Sequence, residues 1–260
     1  MFIFWGRKLV YRKQGYVADF CPICREPRAF QLKRVGSASH VYNISFGEGQ
    51  LVGYERTCQT CRTSMKAEPS IYASVAKTCA ALPELQAQTF PNLPTVLRAR
   101  LALEEQVRNA PESLTPEDRR ALILNPFLVL SPKVERRFSV TRFDAKAGLS
   151  ILAAIALMIL GPILVIAVAP EAKDASDISI PLFIALAVAL VVWQVIAGGR
   201  RYMLREIVPV LARTLAPLSP TRAEIDAALQ ELRQAKHKIA RKLRVDDLLA
   251  HQELAGKLNA

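Results

Sequence analysis

Two stretches without a single charged side chain, residues 147–170 and 178–199, constrain this 260-residue chain more than any other feature. The first contains the run Ala147 to Ala169, which as a helix covers about 35 Å, enough to cross a bilayer core. Proline removes one backbone donor within it, so a kink is expected at Gly161-Pro162. The second, Ile178 to Gly199, opens on Ser179 and Pro181, which suits a helix start. Soluble core helices are seldom this long without a charge, so the pair predicts a transmembrane hairpin, 147–169 and 178–199.

The flanks predict its orientation. The connection from Pro170 to Asp177 carries Glu171, Asp174 and Asp177 against Lys173. Lys133, Arg136, Arg137, Arg142 and Lys146 precede the first helix, and Arg200, Arg201 and Arg205 follow the second. The positive-inside rule then puts both termini in the cytoplasm and the acidic connection outside. Met1-Phe-Ile-Phe-Trp5 is too short for a signal-peptide core, so insertion is expected to rely on the internal helices. The spans hold no charged group, and Gln194 is their one amide, so an anchor fits better than a transporter or proton relay. Ala185 and Ala189, four apart, suit close helix packing.

Four of the five cysteines form two pairs, Cys21-Pro-Ile-Cys24 and Cys58-Gln-Thr-Cys61, separated by residues 25–57. A two-residue gap lets both thiolates of a pair converge on one ion, and the long insertion returns the second pair to complete a tetrahedral site. One structural zinc is the default cofactor, although iron in a rubredoxin-like site uses the same ligands. A closed four-thiolate site leaves no coordination position for substrate. No thioredoxin-like βαβ pattern accompanies either pair, and cytoplasmic placement disfavours disulfides. Cys79 stands alone and reads as a buried thiol.

Between the pairs, Val41–Phe46 and Gln50–Arg56 flank Gly47-Glu-Gly49 like a β-hairpin, with Tyr42, Ile44 and Phe46 on one face. Ala29–Val35 and Tyr16–Phe20 supply two more candidate strands. Together with the opening Met1-Phe-Ile-Phe-Trp-Gly6, the run Tyr16-Val-Ala-Asp-Phe-Cys-Pro-Ile-Cys24 and the second pair resemble an uncharacterised bacterial zinc-ribbon membrane protein family over about residues 1–65. The resemblance implies a metal-bound ribbon on Cys21, Cys24, Cys58 and Cys61 and no established activity. Arg25 and Arg62 stand where ribbon knuckles commonly carry glycine.

The remainder reads as helical. Pro83–Phe90 and Thr95–Asn109 carry helical spacing, Thr115-Pro-Glu-Asp118 starts another helix, and Pro111, Pro126 and Pro132 mark boundaries. Leu204, Val208, Leu211 and Leu215 extend the second span, with a kink at Pro209. Thr221-Arg-Ala-Glu224 matches a capping box opening an amphipathic helix with Ile225, Leu229, Leu232, Ile239 and Leu243, ended near Asp246-Asp247. That stripe calls for a partner: the other cytoplasmic helices, a second copy, or the bilayer. Within Lys236–Arg244 five basic residues form a charged face that favours anionic lipid over nucleic acid. His237 and His251, on either side of that expected end, are not read as a metal pair.

The expected architecture is an α+β membrane protein. It has a small N-terminal β zinc ribbon (1–68), a cytoplasmic helical region (69–146), the transmembrane hairpin (147–199) and a C-terminal amphipathic helical tail (200–260). The net charge of +12 suits phosphate-bearing partners and anionic membrane faces alike. No G-x-x-x-x-G-K, G-x-S-x-G or H-E-x-x-H occurs, and Gly47, Gly49 and Gly53 fall short of a dinucleotide fingerprint. Neither catalysis nor a small-molecule substrate is therefore expected. The reading is a membrane-anchored zinc-ribbon adaptor or scaffold at the bacterial inner membrane, working through a protein partner or self-association. Its alternative is a membrane-tethered nucleic-acid binder, with Arg25, Arg28, Lys33, Arg34, Arg56 and Arg62 on phosphates and Tyr42, Phe46 or Tyr54 stacking on bases.

Overall fold

A computed structural model describes residues 5–41, 44–45, 47–139, 145–168 and 173–258. The fold is α+β: an N-terminal antiparallel sheet followed mostly by helices. The sheet comprises β1 (Trp5–Cys21), β2 (Glu26–Val41), β3 (Ile44–Ser45), β4 (Gln50–Cys58) and β5 (Ser64–Ala67). The order is β1-β2-β4-β5, with β3 pairing β2. The hairpin expected around Gly47-Glu-Gly49 is corrected by this register: β4 pairs with β2, from Ser37↔Gln50 to Phe30↔Cys58, not with β3. Tyr42 and Phe46 lie outside the described residues.

β1 and β2 are long, 17 and 16 residues, because they run in register from Cys21↔Glu26 to Trp5↔Val41 across basic residues that mask the alternating pattern. The register shifts between Lys13 and Gly15. There Tyr16 bridges to Ala76, and a Cβ at Gly15 would strike the Ala76 carbonyl, so the close backbone approach requires glycine. Asp19, almost fully buried, holds this lower half of the sheet to the following loop. It accepts a hydrogen bond from the Tyr72 hydroxyl (2.5 Å) and pairs with Arg56, whose guanidinium lies 5.2 Å from the Phe30 ring centroid. Burial lowers the Arg56 pKa and raises that of Tyr72, and the hydrogen bond from Arg56 to the Tyr72 hydroxyl (2.9 Å) counters each shift only in part.

The helices begin with α1 (Leu82–Thr89), α2 (Leu93–Val96) and α3 (Arg98–Asn109). α4 (Pro116–Ser139) starts where Thr115 caps Asp118 N (3.1 Å), and it continues through Pro126 and Pro132. Those prolines were expected to end it. Burial of Leu122, Ile123, Phe127, Leu130 and Val134 on one face outweighs the lost donors. α5 (Ala145–Val168) runs on through Gly161-Pro162, and α6 (Lys173–Tyr202) begins well before Ser179, with Pro181 inside it. The two pack against each other, Gly161 facing the Phe183 ring and Ala154 and Ala187 buried. Ala185 and Ala189, the small pair singled out for packing, are exposed.

Among the described residues one helix, Pro181–Leu218, is long and apolar enough to cross a membrane by length and composition; α5 contributes a shorter apolar stretch, Ile151–Gly161. A second crossing is thus not established by the helices themselves. The long helix widens to π geometry at Met203–Ile207, where the Val208 N–H bonds the Met203 carbonyl, then resumes as α7 (Val208–Leu215). Pro209, which has no N–H to give, sits just beyond the widened turn and accounts for the shift.

The tail also differs from expectation. α8 (Arg222–Gln234) begins on the Thr221–Glu224 capping box, but the helix ends at Ala235, with Lys236 left-handed at φ 61°. α9 (Lys238–Lys242) and α10 (Val245–Leu258) follow, so Asp246 and Asp247 open a helix instead of ending one. Ile225, Leu229, Leu232, Ile239 and Leu243 are all buried, satisfied by packing within the chain. One core runs from Phe30 and Leu32 in the sheet through Phe127 and Leu130 of α4 to Leu211, Leu215 and Leu229. Each fully buried large side chain contributes about 2 kcal/mol. Cys79, expected to be buried, lies exposed in the loop before α1.

Candidate metal centre

The β1–β2 and β4–β5 turns carry the two cysteine pairs, and the sheet brings those turns together because β2 pairs with both β1 and β4. Within each turn the backbone folds back on its first cysteine. The Arg25 N–H bonds the Cys21 carbonyl (2.7 Å), the Arg62 N–H bonds the Cys58 carbonyl (3.1 Å), and the Cys24 N–H points at the Cys21 Sγ (3.4 Å). Arg25 and Arg62 have φ of 61° and 58°, the left-handed conformation that favours glycine. The knuckle turn is therefore kept despite the two arginines.

All four Sγ atoms lie within 4.8 Å of one another. Cys21 and Cys61 sulfurs are 3.6 Å apart and those of Cys24 and Cys58 are 3.9 Å apart. Four sulfurs at about 2.3 Å from a tetrahedral zinc would be about 3.8 Å apart, so the quartet is already spaced for an ion. These are also far beyond the bond length of a disulfide, and all five cysteines are free. Cys21 and Cys58 are buried, while Cys24 and Cys61 are half-buried.

The crowding divides the thiols by charge. Hydrogen bonds from Cys21 and Cys24 draw Cys58 down to about 6 and lower Cys61 further. Hydrogen bonding to Cys24, Cys58 and Cys61 holds Cys21 in its protonated form, and Cys24 is raised too: the lowering bond from Cys21 is outweighed by those to Cys58 and Cys61 and by burial. Four adjacent thiolates repel one another, and a divalent cation held by Cys21, Cys24, Cys58 and Cys61 would take the place of the protons that otherwise separate them.

The first knuckle is fastened to the helices by a buried polar cluster that the sequence did not disclose. Arg25 Nε donates to Glu104 (2.7 Å), Arg100 pairs with the same carboxylate (2.6 Å), and Glu104 is 1% exposed. Arg25 also donates to the Thr214 carbonyl (3.2 Å), while the Thr214 hydroxyl donates to the Ile23 carbonyl (3.0 Å). No spacing rule joins residues 25, 104 and 214, which meet only in the tertiary fold.

A cavity of about 490 Å³ opens beside Cys24 and Cys61, lined by Arg25, Arg28, Arg108 and Arg213 with Glu26 and Glu104. Four thiolates around a divalent ion leave a net charge of about −2. With the two glutamates, that charge would match the four arginines of the lining. No protein-family model, curated protein or solved structure matches the chain.

The basic residues proposed for nucleic acid are largely occupied. Arg25 holds Glu104, Arg28 pairs with Glu26, Arg34 donates to the Glu48 and Gly49 carbonyls, and Arg56 pairs with Asp19. Tyr54 packs against the core, partly buried. His237 Nδ1 meets Ser131 (2.8 Å) and Glu135 (3.1 Å), a contact between α4 and the tail.

Proposed function

We propose that this protein is a membrane-anchored zinc-ribbon adaptor, non-catalytic, whose structural zinc is held by Cys21, Cys24, Cys58 and Cys61. In this reading it is a two-pass protein of a bacterial inner membrane with both termini cytoplasmic, and its sheet and helices present a surface to another protein or a second copy. The observation that carries it is the docking of the first knuckle on Thr214 of α7, the direct continuation of the apolar helix. A metal-stiffened head seated on its own anchor suits holding a partner at a fixed place.

The membrane reading draws support from exposure. Only 12% of the most apolar window of Pro181–Leu218 is buried, unlike a soluble core helix. Leu149, Leu152, Leu164, Leu182, Trp193 and Ile196 each leave more than 60% of their surface uncovered on α5 and α6. Such a contiguous apolar surface needs lipid or protein. The charge-free lengths and basic flanks favour lipid and two crossings. Zinc is favoured over iron by the small ribbon-like setting.

Affinity purification of the detergent-extracted protein tests the adaptor role. A defined protein partner, or a second copy, retained by the parent chain and lost in Cys58→Ser is the expected result. Nucleic acid released by salt with no protein retained would replace the adaptor with a tethered nucleic-acid binder.

A further inference from the structure

We infer that the cavity beside the metal centre is a binding site for a small soluble phosphate ester, held by Arg108 of α3 and Arg213 of α7. The adaptor reading neither calls for this ligand nor is needed for it. Both arginines are exposed, stand in the last turn of their helices and line the same space of about 490 Å³. Neither has a carboxylate partner among the described residues. Arg108 Nε donates to the Glu104 carbonyl of its own helix (3.3 Å), and Arg213 makes no hydrogen bond or ion pair. Helix dipoles favour a cation at each of these positions, but not two cations in one cavity. Guanidinium groups brought together from separate helices repel each other, and an anion between them replaces that repulsion with charge-assisted hydrogen bonds.

The charges of the lining match in sum but not in place. Glu26 pairs with Arg28, and Glu104 is shared between Arg25 and Arg100, so both carboxylates are engaged by arginines other than Arg108 and Arg213. Arg100 stands outside the lining, and its charge tips the whole toward positive. Of the four sulfur ligands, Cys21 and Cys58 are buried and only Cys24 and Cys61 reach the cavity. Arg25 Nη2 and Arg28 Nε are buried without a hydrogen-bond partner, so their protons add to the positive potential while the direct contacts fall to Arg108 and Arg213.

The same features select the ligand. One guanidinium fork satisfies both oxygens of a carboxylate, whereas the three terminal oxygens of a phosphate monoester serve two forks at once. Ile23, Val210 and Pro217 complete the lining and offer apolar contact to the organic part of the ester. The volume falls in the range of small-molecule sites. Arg213 lies fourteen residues, about 21 Å of helix, beyond Gly199, where the charge-free block ends, which favours a soluble ester over a lipid headgroup.

Equilibrium dialysis of the full-length protein in dodecyl maltoside against radiolabelled glycerol 3-phosphate, in about 150 mM sodium chloride to screen loose ion pairing, tests this. The expected result is saturable binding with a Kd below about 1 mM. Arg108→Gln and Arg213→Gln should each weaken it about tenfold with zinc content unchanged. Arg12→Gln, an exposed arginine outside the cavity, should bind as the parent does. No saturable binding, or parent affinity in both cavity variants, would overturn the proposal. Loss of binding that comes only with loss of zinc would make the two arginines structural and overturn it as well. Displacement of the ester by phosphatidic acid carried in the micelles would assign the cavity to a lipid headgroup and overturn the soluble ligand.

Discussion

At the scale of residues, the two arginines that follow the second cysteine of each knuckle share a backbone conformation and differ in their side chains. A left-handed residue other than glycine costs about 1 kcal/mol. Arg62 makes only a long contact to Gln59 (3.4 Å), so Arg62→Gly is expected to stabilise the protein by about 0.5–1 kcal/mol. Arg25→Gly gains the same relief and loses the Glu104 pair, so it is expected to destabilise by about 2 kcal/mol or more. Chemical denaturation of both variants in detergent checks the pair, and equal effects would contradict the asymmetry. Glu224 gives a second residue-level test. Hydrogen bonding from Arg119, with the Thr221 cap, draws its pKa from 4.5 to about 2. Because the folded value is the lower one, the stabilisation is present in full above about pH 4.5 and fades as pH falls toward 2. The stability difference between the parent and Glu224→Gln should narrow over that window, and a difference independent of pH would contradict the ion pair.

At the scale of elements, the signals that were legible in the sequence are those written in short range. The Thr221–Glu224 capping box starts α8, Thr115 starts α4, and the cysteine spacing marks both knuckle turns. Thr221→Ala is expected to destabilise the α8 end by about 1 kcal/mol, read as a loss of protection in amide exchange over Arg222–Asp226; unchanged exchange would contradict the cap. What failed was local grammar overridden by packing. Pro126 and Pro132 signal boundaries, yet the core-facing side chains between them hold α4 together. The stripe from Ile225 to Leu243 fits one helix, but Lys236 in a left-handed conformation divides it, and His237, reaching Ser131 and Glu135, fastens the break to α4. Exposed Cys79 shows the limit of residue-type statistics in a loop. The strands run beyond the expected Tyr16–Phe20 and Ala29–Val35, a reach hidden in the sequence because Lys8, Arg12 and Lys13 interrupt the hydrophobic alternation before Tyr16, and the small residues from Gly36 to Ser39 follow Val35.

At the scale of the whole molecule, four cysteines from two distant turns meet at metal spacing, and the first turn is seated on the helix that continues from the apolar span. The quartet was legible because ligand spacing is local; its seat was not, because Arg25, Glu104 and Thr214 are joined only by folding. The two-pass reading makes its own prediction. In intact cells a membrane-impermeant maleimide should modify Asp174→Cys from outside and leave exposed Cys79 untouched until the membrane is permeabilised; the reverse pattern would invert the topology. The most direct test of the central claim is zinc-edge X-ray absorption on the full-length protein, with metal content from the same sample. The account predicts one zinc per chain with four sulfur neighbours at about 2.3 Å, lost in Cys58→Ser. A metal-free protein with four reactive knuckle thiols, or a zinc shell of nitrogen and oxygen, would contradict it.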